Sequence, residues 1–470
     1  MLYTLCDIFM EVDMIPEGFK VKMKNILGDE YPAFIDALEN RYAVRGMRAN
    51  LIKTTAKKLV ADGEFDIEPL SYVDNGFILR EERQMGASPY HHAGMVYMQD
   101  PGAMATASAL DIEPDWWVAD LCAAPGGKSS QIAERLGEEG FLLSNEYVPK
   151  RAKIIVGNFE RLGVRNAMVT SMDTARLADM FEGVFDLVVV DAPCSGEGMF
   201  RKSEEAVTDW SEENVMISAK RQREILNNAR SLVKPGGYLL YSTCTYSPEE
   251  NEENVGDFLI NNPDFSLVRV KEEIEKRTAP GIVKYGKGAA NIEYARRFYP
   301  HVSEGEGQFL ALMQRDAKVK IKQRIIYKDE AKPLSKQEIA AVDSFFKETL
   351  FSAPCGRVCK VGDNIVLLSH SCPVPRSSVF MAGVLLGEIK GSTLVPHHQF
   401  FSAYADLFGR KINLSRSDER VEKYLRGEEI DAAENLKGWC AVLFEGAPLG
   451  GGKASGGKIK NHYPKGLRTR

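Results

Sequence analysis

Between about residue 100 and residue 315, apolar runs alternate with amphipathic stretches, and this alternation constrains the fold more than any other feature of the sequence. Strand-like runs separated by segments of helical period are typical of βαβ units. The chain is therefore predicted to be an α/β protein with a doubly wound, mostly parallel sheet, in which ligands bind beyond the carboxyl ends of the strands. The predicted strands are "WWVADL", "GFLLSNE", "NAMVTS", "FDLVVVD", "GGYLLYSTCT" and "QFLALMQR".

At 470 residues the chain is too long for one ordinary domain. The stretch 31–60 has helical apolar spacing, whereas the charged segment 316–332 is typical of a boundary. The last fifty or so residues are Gly-rich and basic, as expected of a small β-module with an exposed tail. The predicted divisions are a mostly helical region 1–95, the α/β domain 96–315, an intermediate α/β region 316–415 and a β-rich module 416–470.

The composition is that of a water-soluble globular protein, with 44% hydrophobic and 27% charged residues. No signal peptide or run of eighteen apolar residues is evident, so a cytoplasmic protein without membrane spans is expected. Eight scattered cysteines suit a reducing compartment. Cys355, Cys359 and Cys372 lack the paired spacing of a zinc site, and no metal is predicted.

The net charge of −6 argues weakly against a nucleic-acid partner, but it hides two basic segments without acids. Such clusters are either phosphate-binding surfaces or ordinary solvated faces, and charge alone leaves both open. One segment lies at 41–58 and the other covers the last eighteen residues. Their cations are Arg41, Arg45, Arg48, Lys53, Lys57 and Lys58, and then Lys453, Lys458, Lys460, Lys465, Arg468 and Arg470.

The stretch "VADLCAAPGGKSSQIA" at 118–133 predicts a strand, a glycine turn and a helix. It ends like a phosphate-binding P-loop, but Cys122 stands where the first glycine of that loop belongs. Glu146, at the tip of the next strand, could bind ribose hydroxyls, and Asp173 after the third strand could bind an adenine amino group. Either acid could instead cap the following helix. In this order, after a glycine turn, a nucleoside site is favoured.

Two further strand ends carry cysteines. "FDLVVVDAPCSGEGMF" delivers Asp191 and Cys194, and "LVKPGGYLLYSTCTYSPEENEENV" delivers Cys244. Taken singly, such a cysteine is usually a small buried apolar residue. Together they match the needs of cytosine C5 methylation, in which a thiolate adds to C6 and makes C5 nucleophilic. A carboxylic acid near N3 then supplies the neutralising proton, and Asp191 is the candidate.

"DLCAAPGGKSSQIA", "DAPCSGEGMF" and "STCTYSPEENE" together resemble the NOL1/NOP2/Sun family of RNA cytosine-5 methyltransferases. "RGMRAN" and "KNHYPKGLR" further resemble the bacterial 16S rRNA methyltransferase F group, whose tail is a PUA-like RNA-binding module. The resemblance implies a Rossmann-like class I methyltransferase domain, S-adenosylmethionine as donor, and a monomer acting on RNA, namely 16S rRNA or the small subunit. It makes Cys244 the nucleophile and Cys194 the group that assists product release. It assigns the donor site to Cys122, Ala123, Ala124, Pro125, Gly126, Gly127, Lys128, Glu146, Asp173 and Asp191.

Two other interpretations remain. DNA cytosine-5 methyltransferases use the cysteine of the Pro-Cys motif, which would make Cys194 the nucleophile, but the Thr-Cys motif at 243–244 is typical of the RNA family. The chain could also act on tRNA or another RNA, or serve as a ribosome-assembly factor without activity. The intact cysteine pair argues against an inactive factor.

Overall fold

The computed structural model describes residues 15–82, 84–369 and 371–469, so Arg470 of the basic tail lies outside the described residues. Helices predominate in the first region, but the predicted helical stretch 31–60 is interrupted by a strand. That strand belongs to an antiparallel sheet of order β2-β3-β1-β4. Gly46 lies so close to the Gln99 carbonyl that a side chain would collide with it. The elements are α1 Glu17–Leu27, α2 Tyr31–Asn40, β1 Gly46–Ala49, α3 Ala56–Asp62, β2 Ile67–Pro69, β3 Gly76–Leu79, α4 Pro89–His92 and β4 Val96–Met98.

The predicted α/β domain is present, and each of the six predicted strands forms. The apolar strands are buried on both faces, as expected of a parallel sheet covered by helices. The elements are α5 Pro101–Ala107, β5 Trp117–Asp120, α6 Gly127–Ala133, β6 Phe141–Asn145, α7 Pro149–Leu162, β7 Ala167–Thr170, α8 Thr174–Met180, β8 Phe181–Glu182, β9 Phe185–Asp191, α9 Glu204–Thr208, α10 Glu212–Leu232, β10 Val233–Thr243, α11 Glu252–Asn261, β11 Phe265–Leu267, α12 Glu272–Glu275, β12 Ala279–Pro280, β13 Arg296–Phe298 and β14 Gln308–Arg315.

The central sheet has the strand order β12-β13-β14-β10-β9-β5-β6-β7-β18, with β11 paired to β14. The strands β10, β9, β5, β6 and β7 are parallel neighbours. Their carboxyl ends therefore open on one edge, which is where the predicted site residues lie. The last strand of this order, β18, comes from the intermediate region and pairs with β7. The intermediate region is therefore joined to the α/β domain by a shared sheet. Its elements are β15 Arg324–Ile325, α13 Lys336–Thr349, β16 Arg357–Val361, β17 Asn364–Leu368, β18 Val379–Ala382, β19 Val384–Lys390, β20 Thr393–Pro396 and α14 His398–Tyr404.

The last module forms a sheet of order β21-β23-β24-β25-β22. The predicted start at residue 416 is too late, because residues 411–414 pair with β23 in this sheet. The module shares one apolar cluster with the first region, in which Tyr90 and Leu79 pack with Phe444 and Tyr463. Among the described residues, no helix has the length and apolar character needed to cross a membrane. The elements are β21 Lys411–Leu414, α15 Arg420–Leu425, β22 Ile430–Asp431, β23 Gly438–Phe444, β24 Ala447–Ser455 and β25 Lys458–Asn461.

Candidate active site

The glycine turn joins β5 to α6 at the carboxyl edge of the sheet. Gly126 precedes α6 with φ of 107°, a left-handed conformation that a residue with a side chain adopts only with strain. Cys122 lies at the start of the turn, and burial raises the pKa of its thiol well above the ordinary value. Cys122 therefore stays protonated at neutral pH and does not compete as a nucleophile. Its donor-binding role stays a prediction.

Glu146 follows β6 and is 4% exposed. Its Oε1 accepts a hydrogen bond from the Val148 amide at 2.9 Å, and its Oε2 lies 3.3 Å from an Arg151 nitrogen. Asp173 follows β7, is exposed and accepts a hydrogen bond from the Ala175 amide, so it caps α8. Both acids thus lie at the carboxyl ends of neighbouring strands. Asp173 also takes the capping role that the sequence left open, whereas Glu146 does not, because α7 has no side-chain cap.

Asp191 and Lys128 form an ion pair at the end of β9, with 2.7 Å between Nζ and Oδ2. The other oxygen of Asp191 accepts a hydrogen bond of 2.7 Å from the Ser242 hydroxyl. Burial alone would lower the pKa of Lys128, but the charge of Asp191 and their hydrogen bond outweigh it and raise the pKa. Lys128 therefore remains a cation at neutral pH, and its charge also acts on Cys244.

Cys194, after β9, and Cys244, after β10, lie next to each other. The Cys194 and Cys244 sulfur atoms are 3.2 Å apart, and both are free thiols. The hydrogen bond to Cys244, together with burial, raises the pKa of Cys194 well above its ordinary value. Cys194 therefore keeps its proton, and the two sulfurs are close enough for a hydrogen bond in which either can be the donor. The Lys128 ammonium acts electrostatically on the other sulfur of the pair, that of Cys244.

Two buried carboxyl groups fix the loops that carry these cysteines. The Ser195 and Thr245 hydroxyls, each next to a cysteine in sequence, are 2.9 Å apart. Glu250 accepts hydrogen bonds from the Ser195 hydroxyl, from the Ser195 amide and from Gln222. Glu197 accepts from the Thr245 hydroxyl and from the Ser247 hydroxyl. The distance between the two sulfurs is thus set by a buried polar network.

Three families match the chain. The family described as 16S rRNA methyltransferase RsmB/F matches residues 107–314. The N-terminal domain of 16S rRNA methyltransferase RsmF matches 15–101, and the methyltransferase RsmF PUA domain matches 411–469. These matches follow one another in the order of the domains described above. The chain belongs to the RsmB/F family of 16S rRNA methyltransferases.

Relatives agree with this placement. The ribosomal RNA small subunit methyltransferase F of Vibrio parahaemolyticus is 29% identical, with 96% of this chain and 97% of the relative covered. The protein of the same name from Klebsiella pneumoniae is 28% identical, with 96% of each covered. A methyltransferase homologue from Pyrococcus horikoshii, a solved structure, is 27% identical with a TM-score of 0.55, covering 64% of this chain and 95% of that one. The predicted family and the class I methyltransferase fold with its PUA module are confirmed.

Sequence reasoning missed the carboxyl groups that support the RsmB/F site. Glu197 and Glu250 lie inside the quoted motifs, but only the fold brings them under the two cysteines. Burial raises the pKa of Glu250 to about 7. Burial also raises the pKa of Asp120, at the end of β5, to about 7. Asp120 Oδ2 accepts a hydrogen bond of 2.6 Å from the Ser129 hydroxyl. The signal available in the sequence was the presence of acids within strand-end loops, which is common and therefore weak.

The basic segment 41–58 is only partly available for RNA. Arg48 is fully buried, forms an ion pair with Glu134 and donates to Ser130 at 2.8 Å. Lys53 donates to the Ser402 hydroxyl at 3.2 Å, which ties the first region to α14. These two cations therefore have structural roles, whereas Arg41, Lys57 and Lys58 are exposed. Lys58 still contacts the last module through the Glu445 carbonyl.

Proposed function

We propose that this protein transfers a methyl group from S-adenosylmethionine to C5 of a cytosine in 16S rRNA, through a covalent bond between Cys244 and C6. The observation that carries the proposal is the pair of sulfurs 3.2 Å apart at neighbouring strand ends. The Lys128 ammonium acts electrostatically on one of them, the sulfur of Cys244. One nucleophilic thiol with a second thiol beside it is what a cycle of addition and elimination requires.

The first half of the reaction uses Cys244 and Asp191. The Cys244 thiolate forms a bond to C6 of the cytosine while N3 takes up a proton. The Lys128 ammonium, hydrogen-bonded to Asp191 Oδ2, supplies that proton, and the Asp191 carboxylate passes it on to N3. Electron density moved to C5 then attacks the methyl group of the sulfonium donor, and S-adenosylhomocysteine leaves. The target base must leave its stack to reach this site.

The second half needs a base for the C5 proton, and the geometry favours Cys194. In the free enzyme the pKa of Cys194 is raised first by its hydrogen bond to Cys244, then by burial and the charge of Cys244. Once Cys244 is bonded to C6, its sulfur no longer carries a negative charge or accepts this hydrogen bond strongly. Cys194 then loses its thiol proton to solvent more easily, and the resulting thiolate removes the C5 proton. Loss of the C5 proton breaks the bond between C6 and Cys244, and the N3 proton returns through Asp191 to Lys128 as the ring is restored.

The experiment that tests this function is bisulfite mapping of small-subunit rRNA incubated with the protein and S-adenosylmethionine. New protected cytosines are expected with the wild type and none with Cys244→Ala. Methyl transfer that leaves every cytosine convertible would contradict C5 as the acceptor. Methylation confined to tRNA in a mixed RNA pool would contradict the rRNA substrate.

Donor binding is expected to need Glu146. Glu146→Ala should weaken S-adenosylmethionine binding tenfold or more, which corresponds to about 1.4 kcal/mol or above, because a carboxylate at this strand end is positioned for ribose hydroxyls. Titration calorimetry on the folded variant measures the affinity. Asp179→Ala is the matched control, since it removes an exposed acid from α8. Equal affinities in Glu146→Ala and wild type would refute the assignment.

A further inference from the structure

The sheet of the last module carries a row of side chains that crosses three strands on one face. Trp439 of β23 pairs with Lys453 of β24, which in turn pairs with Lys460 of β25. Side chains at directly paired positions share a face, with Cβ atoms about 5 Å apart. The Lys453 ammonium lies 5.9 Å from the centre of the Trp439 ring. The His462 ring packs against the same indole at 4.7 Å between centroids.

The two lysines of this row, Lys453 and Lys460, repel each other and so destabilise the sheet. Like charges at directly opposite positions destabilise paired strands. Both side chains are exposed, and within the described part of the chain neither forms an ion pair with a carboxylate. A bound anion between the two ammonium groups would remove the repulsion. The row therefore carries the positive charge that an anion site needs.

A third lysine, Lys390, lies in the intermediate region on a hairpin that packs in the same apolar cluster as Trp439. The β19–β20 hairpin contributes Leu386 and Leu394 to the same apolar cluster as Trp439. Lys390 ends β19, and its side chain is 67% exposed and lies 3.5 Å from the carboxylate of Glu388, which is itself exposed. An exposed pair of this kind contributes little and leaves the ammonium available. Two separate parts of the chain thus carry exposed cations beside one apolar cluster.

The position of His462 supports the same grouping. Burial lowers the pKa of this histidine, and the charges of Lys460, Lys453 and Lys390 lower it further. All three ammonium groups are therefore close enough to act on one imidazole. At neutral pH His462 is uncharged, and one ring nitrogen can donate a hydrogen bond.

We propose that Lys390, Lys453, Lys460 and His462 form a site for a backbone phosphate of the RNA substrate, spanning the boundary between the intermediate region and the PUA module. Phosphate contacts of this kind position a nucleic acid without reading its sequence. The identity of the anion as RNA rests on the proposed function. Residues 315–410 lie between the matched families, so the site gives this region a part in binding.

The test is the salt dependence of binding to a transcript of small-subunit rRNA by the full-length protein. Each phosphate contact adds about one to the slope of log affinity against log salt. Lys390→Ala and Lys453→Ala are each expected to reduce the slope by about one and the affinity roughly fourfold to fivefold at 0.15 M salt. Lys453→Ala should not lower the thermal midpoint, because it removes a like-charge pair. Lys328→Ala, which removes an exposed lysine after β15, is the matched control and should leave the slope unchanged.

If Lys390→Ala leaves the slope unchanged, the intermediate region does not contribute to the site, and the proposal of a site formed by two parts of the chain is wrong. A reduction of the same size in Lys328→Ala would overturn its location. Weaker binding to assembled subunits but not to the naked transcript would point to a ribosomal protein and overturn the choice of RNA. These outcomes are separate from the proposed function: RNA bound with the expected slopes but never methylated at cytosine C5 would contradict only the methylation chemistry.

Discussion

Cys244→Ala is expected to reduce methyl transfer to background and to form no covalent complex with RNA, whereas Cys194→Ala should trap one. Attack on C6 needs the sulfur that lies in the field of Lys128, and alanine at 244 removes it. With alanine at 194, Cys244 can still attack and C5 can still be methylated. The C5 proton then has no nearby base, so the bond between Cys244 and C6 persists. A slow band on a denaturing gel, containing methylated RNA and protein, is the measurement.

The opposite pattern would reverse the assignment of the two cysteines. An active Cys244→Ala variant and an inert Cys194→Ala variant without adduct would make Cys194 the nucleophile, as in DNA cytosine-5 methyltransferases. Cys122→Ala is a useful thiol control, because the raised pKa of Cys122 keeps it protonated. It should form no adduct and should retain turnover at saturating donor. An adduct in that variant alone would show that thiols outside the pair contribute to release.

Asp191→Asn is expected to lower the methylation rate by roughly 10²-fold to 10⁴-fold, the usual contribution of a positioned acid or base. Asparagine can still accept the Ser242 hydrogen bond, so the shape of the site is kept. It cannot deliver a proton to N3, and it leaves the Lys128 ammonium without its counter-charge. Single-turnover rates at saturating donor and RNA measure the effect.

The same strand provides the matched control for this substitution. Asp186 lies at the other end of β9, pairs with Lys234 and accepts a hydrogen bond of 2.8 Å from the Trp117 amide. Asp186→Asn should lower stability but leave the single-turnover rate close to that of the wild type. A rate for Asp191→Asn within tenfold of the wild type, measured on folded protein, would argue against its role as the acid.

The sequence was sufficient to predict the α/β domain because its strands are continuous apolar runs ending in residues with distinctive chemistry. Asp191, Cys194 and Cys244 could be placed at one edge of the sheet because parallel strands end together. The Lys128–Asp191 ion pair was not predictable, since it joins β9 to the helix after β5 across the sheet. The pairing of Ser195 with Thr245 likewise depends on how two loops meet.

The failures lie where tertiary contacts override local pattern. The apolar residues around segment 46–49 recur at helical spacing. The segment nevertheless forms a strand, because β3 and β4 pair with its two edges. The sequence pattern places Arg48 in a basic surface segment, but Glu134 and Ser130 hold its guanidinium in the interior. The last module begins earlier than its glycines and lysines suggest, because β21 is separated from them in sequence and joins them only by pairing with β23.

The apolar cluster shared by the first region and the last module has a consequence for synthesis of the protein. Leu79 and Tyr90 emerge from the ribosome well before Phe444 and Tyr463, which pack with them. The first sheet can therefore complete its core only after the last module has been translated. A nascent or prematurely terminated chain would expose this surface to chaperones and proteases. Deleting the C-terminal module would likewise remove part of the first region's core as well as its lysines.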